Sequence, residues 1–146
     1  MITANLIAES VLSTRSDAII AADRHGIIRF WNPGAERVFG YVSDAVIGCS
    51  LDLIISERLR ARHWNGFRRM METGKTRYGE ADVLSVPALH RDGRTISIEF
   101  TVVPLKDELE QIIAIVAIMR DVTKRFEEMR ALRGKLAEAE RAASNS

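Results

Sequence analysis

Between Asp17 and Trp31 two apolar runs, Ala18 to Ala22 and Ile27 to Trp31, are divided by the polar cluster Asp23-Arg24-His25-Gly26. That pattern predicts a β-hairpin. The breaker Asn32-Pro33-Gly34 follows, and Ala35, Val38 and Phe39 at helical spacing predict a short helix. Gly40 suits the left-handed residue that ends it. Ser43 is expected to cap one further turn that Gly48 stops. Ser56 to Thr73 is predicted as a long helix, capped by Ser56 and closed by Gly74. On it Leu59, His63, Phe67, Met70 and Met71 share one broad face, while Arg58, Arg60, Arg62, Arg68 and Arg69 occupy the rest.

Three strand-like runs come next: Ala81 to Leu89, Thr95 to Val103 and Ile112 to Met119. In the second, Ile96, Ile98, Phe100 and Val102 alternate with Ser97, Glu99 and Thr101, the period of a half-buried strand. Pro87 marks the first run as an edge or a bulge. His90 to Gly93 reads as a hairpin turn, and Pro104 to Gln111 as a polar connection. Helical spacing also appears at both ends. Ile2, Leu6, Val11 and Leu12 predict an amphipathic helix before the domain. Met129, Leu132, Leu136, Ala139 and Ala143 repeat at intervals of three and four, a short coiled-coil seam. The class is α+β, divided as residues 1–16, 17–123 and 124–146.

Composition narrows the function. The chain has 146 residues, 47% hydrophobic and 28% charged, with a net charge of +1. One domain with a proper core fits that length, and the charge balance does not favour nucleic acid. The single cysteine, Cys49, excludes an intrachain disulfide and fits a reducing cytoplasm. Cys49 itself is read as a small buried hydrophobe. No apolar run approaches the roughly 18 residues of a membrane span, and no basic leader precedes an apolar core at the N-terminus. Met1 followed by a helix is read as a natural start. The arginine-rich helix is flanked by Asp52, Glu57 and Glu72, so a solvated face with local ion pairs is expected.

Several separated motifs resemble the PAS sensory domain family. They are the Asp23/Gly26 hairpin, Trp31-Asn32, Glu36-Arg37-Val38-Phe39-Gly40-Tyr41, Arg91-Asp92-Gly93 and Arg120-Asp121-Val122-Thr123. The resemblance implies a five-stranded antiparallel sheet with helices on one face and a small-molecule pocket between them. It also implies a signal relay at Asp121, Val122 and Thr123, where the last strand meets a helical linker. Two roles are open for Asp121: pairing with a basic residue, or capping the following helix with Thr123 assisting. Homodimerisation is expected through Leu6, Val11, Met129, Leu132 and Leu136, with a downstream signalling protein as a further partner. The helix–domain–helix layout resembles short LOV photoreceptors. Their Asn-Cys-Arg-Phe-Leu-Gln motif is missing, because Cys49 comes too early and lacks the Arg and Gln neighbours, so flavin is not expected.

His63 is the sharper cofactor candidate. Arg60-Ala61-Arg62-His63 resembles the segment that carries the iron-ligating histidine in haem-binding PAS domains of rhizobial oxygen-sensor kinases. The implied pocket takes His63 as metal ligand, with Phe67, Met70, Leu84, Ile98, Phe100, Val102 and Ala117 around the ligand. At the position where those sensors place a gas-binding arginine this chain has Leu84, which points to carbon monoxide or nitric oxide rather than oxygen. The plainer reading of His63 is an ordinary packed or surface histidine, and a ligand-free dimerisation module is a further alternative. His25 and His90 are expected to be exposed. The three histidines form no zinc spacing. No nucleophile elbow, phosphate loop or metalloprotease motif occurs, so a catalytic role is not expected.

Overall fold

The hairpin between Asp17 and Trp31 forms as β1 (Ala18–Asp23) and β2 (Ile28–Trp31), antiparallel, with Ile20 opposite Trp31. Its turn is built by Asp23, whose Oδ1 accepts the N–H of His25 at 2.9 Å and of Ile27 at 3.1 Å. Its Oδ2 accepts Arg29 Nε–H at 2.8 Å. Burial would raise the Asp23 pKa, but those amides and Arg29 outweigh it and hold the carboxyl below its ordinary range. The computed structural model describes residues 1–74 and 84–145.

Beyond the hairpin lie α2 (Pro33–Phe39), α3 (Ser43–Val46), a 3-10 turn (Leu51–Ile54) and α4 (Glu57–Thr73). Gly40 and Gly74 end α2 and α4 in the left-handed conformation, with φ of 83° and 72°. Ser43 does not cap α3. Val42, in extended conformation, is the cap residue and Ser43 is the first helical residue, its N–H donating to Glu36 Oε2 at 2.7 Å.

β3 (Leu84–Leu89), β4 (Thr95–Lys106) and β5 (Ile112–Asp121) complete a five-stranded antiparallel sheet in the order β2-β1-β5-β4-β3. Residues 81–83 of the expected run lie outside the described residues. Pro87 sits on the edge strand β3, opposite Ser97. Pro104 belongs to β4, opposite Ile115, and not to the connection, which shrinks to Asp107–Gln111. Among the described residues β3 pairs with β4 no further than Phe100, so the missing N–H of Pro104 interrupts no ladder there. In the new connection Glu110 takes φ 63°, and Asp107 Oδ1 accepts the N–H groups of Leu109 and Gln111.

One face of the sheet is the core face. Ile20, Ala22, Ile28, Ile98, Ala117 and Met119 of the sheet pack with Phe39, Val46, Phe67 and Met70 from the segments above it. Each fully buried Ile or Phe side chain contributes about 1.5–3 kcal/mol. The corner between α2 and β1 is polar instead. Asn32, 1% exposed, accepts the N–H of Ile19 and of Ala35, both at 2.8 Å, through Oδ1. Its Nδ2 donates to the carbonyls of Asp17 at 3.0 Å and Thr14 at 3.2 Å. Gly34 is required beside it, since a Cβ there would lie 1.9 Å from the Asp17 carbonyl oxygen.

The chain ends in helices that stand off this body: α1 (Ala4–Leu12) and α5 (Thr123–Ser144), neither with a buried residue. No helix among the described residues is long and apolar enough to cross a membrane.

Candidate functional site

A cavity of ≈ 90 Å³ lies between the core face of the sheet, the 3-10 turn and α4. Ile20 and Ala22 of β1, Ile98, Phe100 and Val102 of β4, and Ile115, Ala117 and Met119 of β5 form its floor. Leu51, Ile54, Ile55 and His63 face them, and Val86, Pro87 and Ala88 of β3 close one side. Strand alternation explains the floor, because every second residue of each strand points to this face. Among these lining residues His63 alone carries a polar side chain. Its Nδ1 is buried without a hydrogen-bond partner. Burial lowers the pKa of His63 and the nearby Asp52 charge opposes it, leaving the ring below its usual value and neutral at pH 7.

α4 is held unevenly over this space. Its N-terminal half is pinned by polar contacts. Arg60 Nε–H donates to the Ile55 carbonyl at 3.0 Å, and Trp64 Nε1–H donates to Asp52 Oδ1 at 2.7 Å. The Trp64 ring lies on the β1–β2 turn, so close that a Cβ at Gly26 would sit 2.1 Å from it. Its C-terminal half is held by apolar contact through Phe67 and Met70, each 6% exposed. His63 sits between, edge-on to Trp64 with centroids 4.7 Å apart and tilted to Phe67 at 6.0 Å.

Of the residues singled out from the sequence, His63, Ile98, Phe100, Val102 and Ala117 line the cavity together. Phe67 and Met70 are core residues beside it rather than lining. Leu84 opens β3 opposite Phe100, and its side chain lies outside the described residues. Met119, Ile115, Ile54 and Leu51 were not singled out; core-face alternation along β5 was the available signal for the first two. Cys49 is half-buried rather than buried, its thiol donating to the Ala45 carbonyl at 3.6 Å. His90 is not exposed as expected. It covers Gly40, whose open Cα lets the imidazole approach, and its Nδ1 accepts the Asp92 N–H at 3.2 Å. Among the described residues no group of His, Cys, Asp and Glu suits a metal ion.

At the other end of the sheet, Val122 is the cap residue of α5, and Asp121, one residue before it, accepts the N–H of the first helical residue Thr123 at 2.9 Å and also its hydroxyl; among the described ion pairs none involves Asp121. Ser97 holds the same junction. Its carbonyl accepts the Val122 N–H at 2.8 Å, and its N–H donates to Thr123 Oγ1 at 2.9 Å. Glu99 forms an ion pair with Arg125 of α5. Ser97 and Glu99 thus flank Ile98, a floor residue of the cavity, and both grip the first turn of α5. On the outer helices Leu6, Val11, Met129, Leu132 and Leu136 are all exposed.

The chain matches the family model described as the PAS fold over residues 12–127. It is 33% identical over 135 residues to an uncharacterized protein of Azorhizobium caulinodans, covering 89% of this chain and 18% of that one. To the sensor protein FixL of Bradyrhizobium diazoefficiens it is 41% identical over 54 residues, 37% of this chain and 11% of that one. The chain thus spans less than a fifth of the length of these curated relatives. The crystal structure of the PAS domain of a protein from Colwellia psychrerythraea aligns with TM-score 0.70 at 26% identity, over 82% of this chain and 97% of that one.

Proposed function

This chain belongs to the PAS family, and from that membership we propose that it is a cytoplasmic sensory module, not an enzyme, that relays ligand occupancy through paired flanking helices. The observation that carries the reading is the continuity of Ser97, Ile98 and Glu99. The middle residue forms cavity floor, and its two neighbours hold the start of α5. A ligand that displaces Ile98 against β4 shifts both grips at once. It moves the equilibrium only by its difference in affinity for the two arrangements.

The ligand class follows from the lining. Apolar walls and one neutral imidazole suit a small uncharged molecule with a single hydrogen-bonding group, since an unpaired charge would be costly there. The ≈ 90 Å³ cavity is smaller than the roughly 150 Å³ that admits benzene. Anything larger than a few heavy atoms extends beyond this volume or displaces part of its wall.

A cavity-filling substitution imitates occupancy. Ala117→Val adds bulk on the floor and is expected to change amide exchange at residues 122–126 at least about threefold while the fold is kept. Unchanged exchange there, with the substitution accommodated, would remove the relay.

Haem is a second reading, favoured by the neutral, unpartnered imidazole of His63. The donor fits, but the ≈ 90 Å³ volume does not, so the described arrangement does not fit a haem. An absorption spectrum of protein expressed with a haem precursor is expected to show only tryptophan and tyrosine. A Soret band that disappears in His63→Ala would put haem first.

A further inference from the structure

The turn that joins β4 to β5 repeats the construction of the β1–β2 turn, with one difference. In each, an aspartate, Asp23 or Asp107, accepts through Oδ1 the N–H groups of the residues two and four positions on. The residue three positions on donates its N–H to the aspartate carbonyl and takes a left-handed backbone. That residue is Gly26 in the first turn, with φ 76°, and Glu110 in the second, with φ 63°. Among the described residues Glu110 is the only non-glycine with positive φ. A glutamate is strained there and a glycine is not. No contact within the fold offsets the strain. The Glu110 side chain is 81% exposed, and its ion pair with Lys106, at 3.8 Å, is a surface contact that contributes little.

The same hairpin end gathers exposed apolar side chains. Leu109, between Glu108 and Glu110, is 79% exposed. Val102 lines the cavity, so strand alternation turns Val103 and Leu105 to the opposite face of the sheet, where they are 50% and 49% exposed. The β4–β5 register shifts between Leu105 and Lys106, and Ile113 is the residue left without a partner across the ladder. A bulge of this kind re-aims a side chain, and that of Ile113 is 40% exposed. Four large apolar side chains within one hairpin end form a patch, which singly scattered ones do not.

We propose that the end of the β4–β5 hairpin docks a basic amphipathic helix of another protein, with Leu109 as its apolar anchor and Glu108 and Glu110 as the charges that orient it. The charge of the tip selects the occupant. Asp107, Glu108 and Glu110 against Lys106 leave the tip acidic on a chain whose net charge is +1, so lysines and arginines flanking an apolar face are drawn to this end. An apolar centre with a charged rim is also the usual anatomy of a protein interface. The same carboxylates repel an anionic membrane, and they repel the tip of a second copy. The two amides held by Asp107 fix the loop in advance, which limits the ordering lost on docking. The docking site lies across β4 from the cavity and is independent of ligand occupancy.

The test titrates the full chain with a labelled synthetic helix that carries leucines along one face and lysines along the other. Saturable binding is expected, with amide exchange slowed at residues 103–113. Leu109→Ser is expected to weaken it at least about tenfold, and so is Glu108→Lys combined with Glu110→Lys. Glu110→Gly separates docking from turn formation. It relieves the backbone strain, so the urea midpoint should rise while peptide binding weakens at least about twofold. A lower midpoint in Glu110→Gly would show that the glutamate serves the turn, and overturns the proposal. Absence of saturable binding, binding that ignores residue 109 and both charges, or protection that maps elsewhere overturns it as well. Retention of the unaltered chain on anionic phospholipid vesicles, or self-association abolished by Leu109→Ser, would give the patch to a membrane or to a second copy instead.

Discussion

Two buried regions of this domain handle polar groups in opposite ways. At the α2–β1 corner, Asn32 makes four hydrogen bonds to backbone groups and satisfies its whole amide. Arg37 adds bonds to the carbonyls of Arg15 and Ser16, and Gly34 allows backbone contact no side chain would permit. Under α4, His63 Nδ1 has no partner, the lining is otherwise apolar, and ≈ 90 Å³ stays open. Polar satisfaction with tight packing selects one arrangement, because any shift breaks several bonds at once. The apolar wall over open space carries no such network, and α4 is held over it by the Arg60 and Trp64 hydrogen bonds and by Phe67 and Met70. The first region fixes where the sheet begins, and the second leaves space beside an unpartnered imidazole.

The largest expected effect tests the rigid side. Asn32→Ala strands buried donors and acceptors and should lower stability by about 3–5 kcal/mol, read as a fall in the urea midpoint. A loss under about 1 kcal/mol would show that the corner is not set by that amide. Gly26→Ala acts on the side of the cavity. The residue has φ 76°, and the new Cβ would meet the Trp64 ring at 2.1 Å, so α4 must lift. A cost of about 2–3 kcal/mol is expected, with Trp64 emission shifted to the red. Unchanged emission would mean that the indole is not the latch. The smallest effect concerns His63. Its folded pKa lies below its unfolded value of 6.5, so the unfolded chain takes up the proton first as pH falls. Stability is therefore full above about pH 6.5 and declines below it toward the folded pKa. His63→Leu should remove that decline, and an unaltered pH profile would show that the imidazole is not buried enough to matter.

Most of the fold was legible because it rests on local patterns. The Asp23 to Gly26 turn, the Gly40 and Gly74 helix ends and the alternation along β4 are each written within a few residues. Where local signals competed they misled. Ser43 has the chemistry of a cap, but the helix starts one residue earlier than a Ser43 cap requires, and Ser43 lies inside it with its N–H held by Glu36. Pro104 looks like the end of a strand, but it falls where β4 pairs on one side only among the described residues. His90 follows a strand in a polar run, yet Gly40 offers it a surface to cover.

The candidate site divides in the same way. Ile98, Phe100 and Val102 were readable as one face by period, and His63 by its helical position. Their meeting was not readable, because it depends on β1, β4 and β5 becoming neighbours in an order that differs from chain order. The latch of Trp64 on Gly26 and Asp52, the unpartnered Nδ1 and the grip of Ser97 on Val122 and Thr123 likewise join residues far apart in the chain. The sequence by itself determined the elements, their buried faces and the apolar stripe of α5, since these depend on side-chain periodicity and turn chemistry. Only the tertiary structure decided which faces enclose a cavity and which strand holds the exit helix, because those follow from strand order and packing between distant segments.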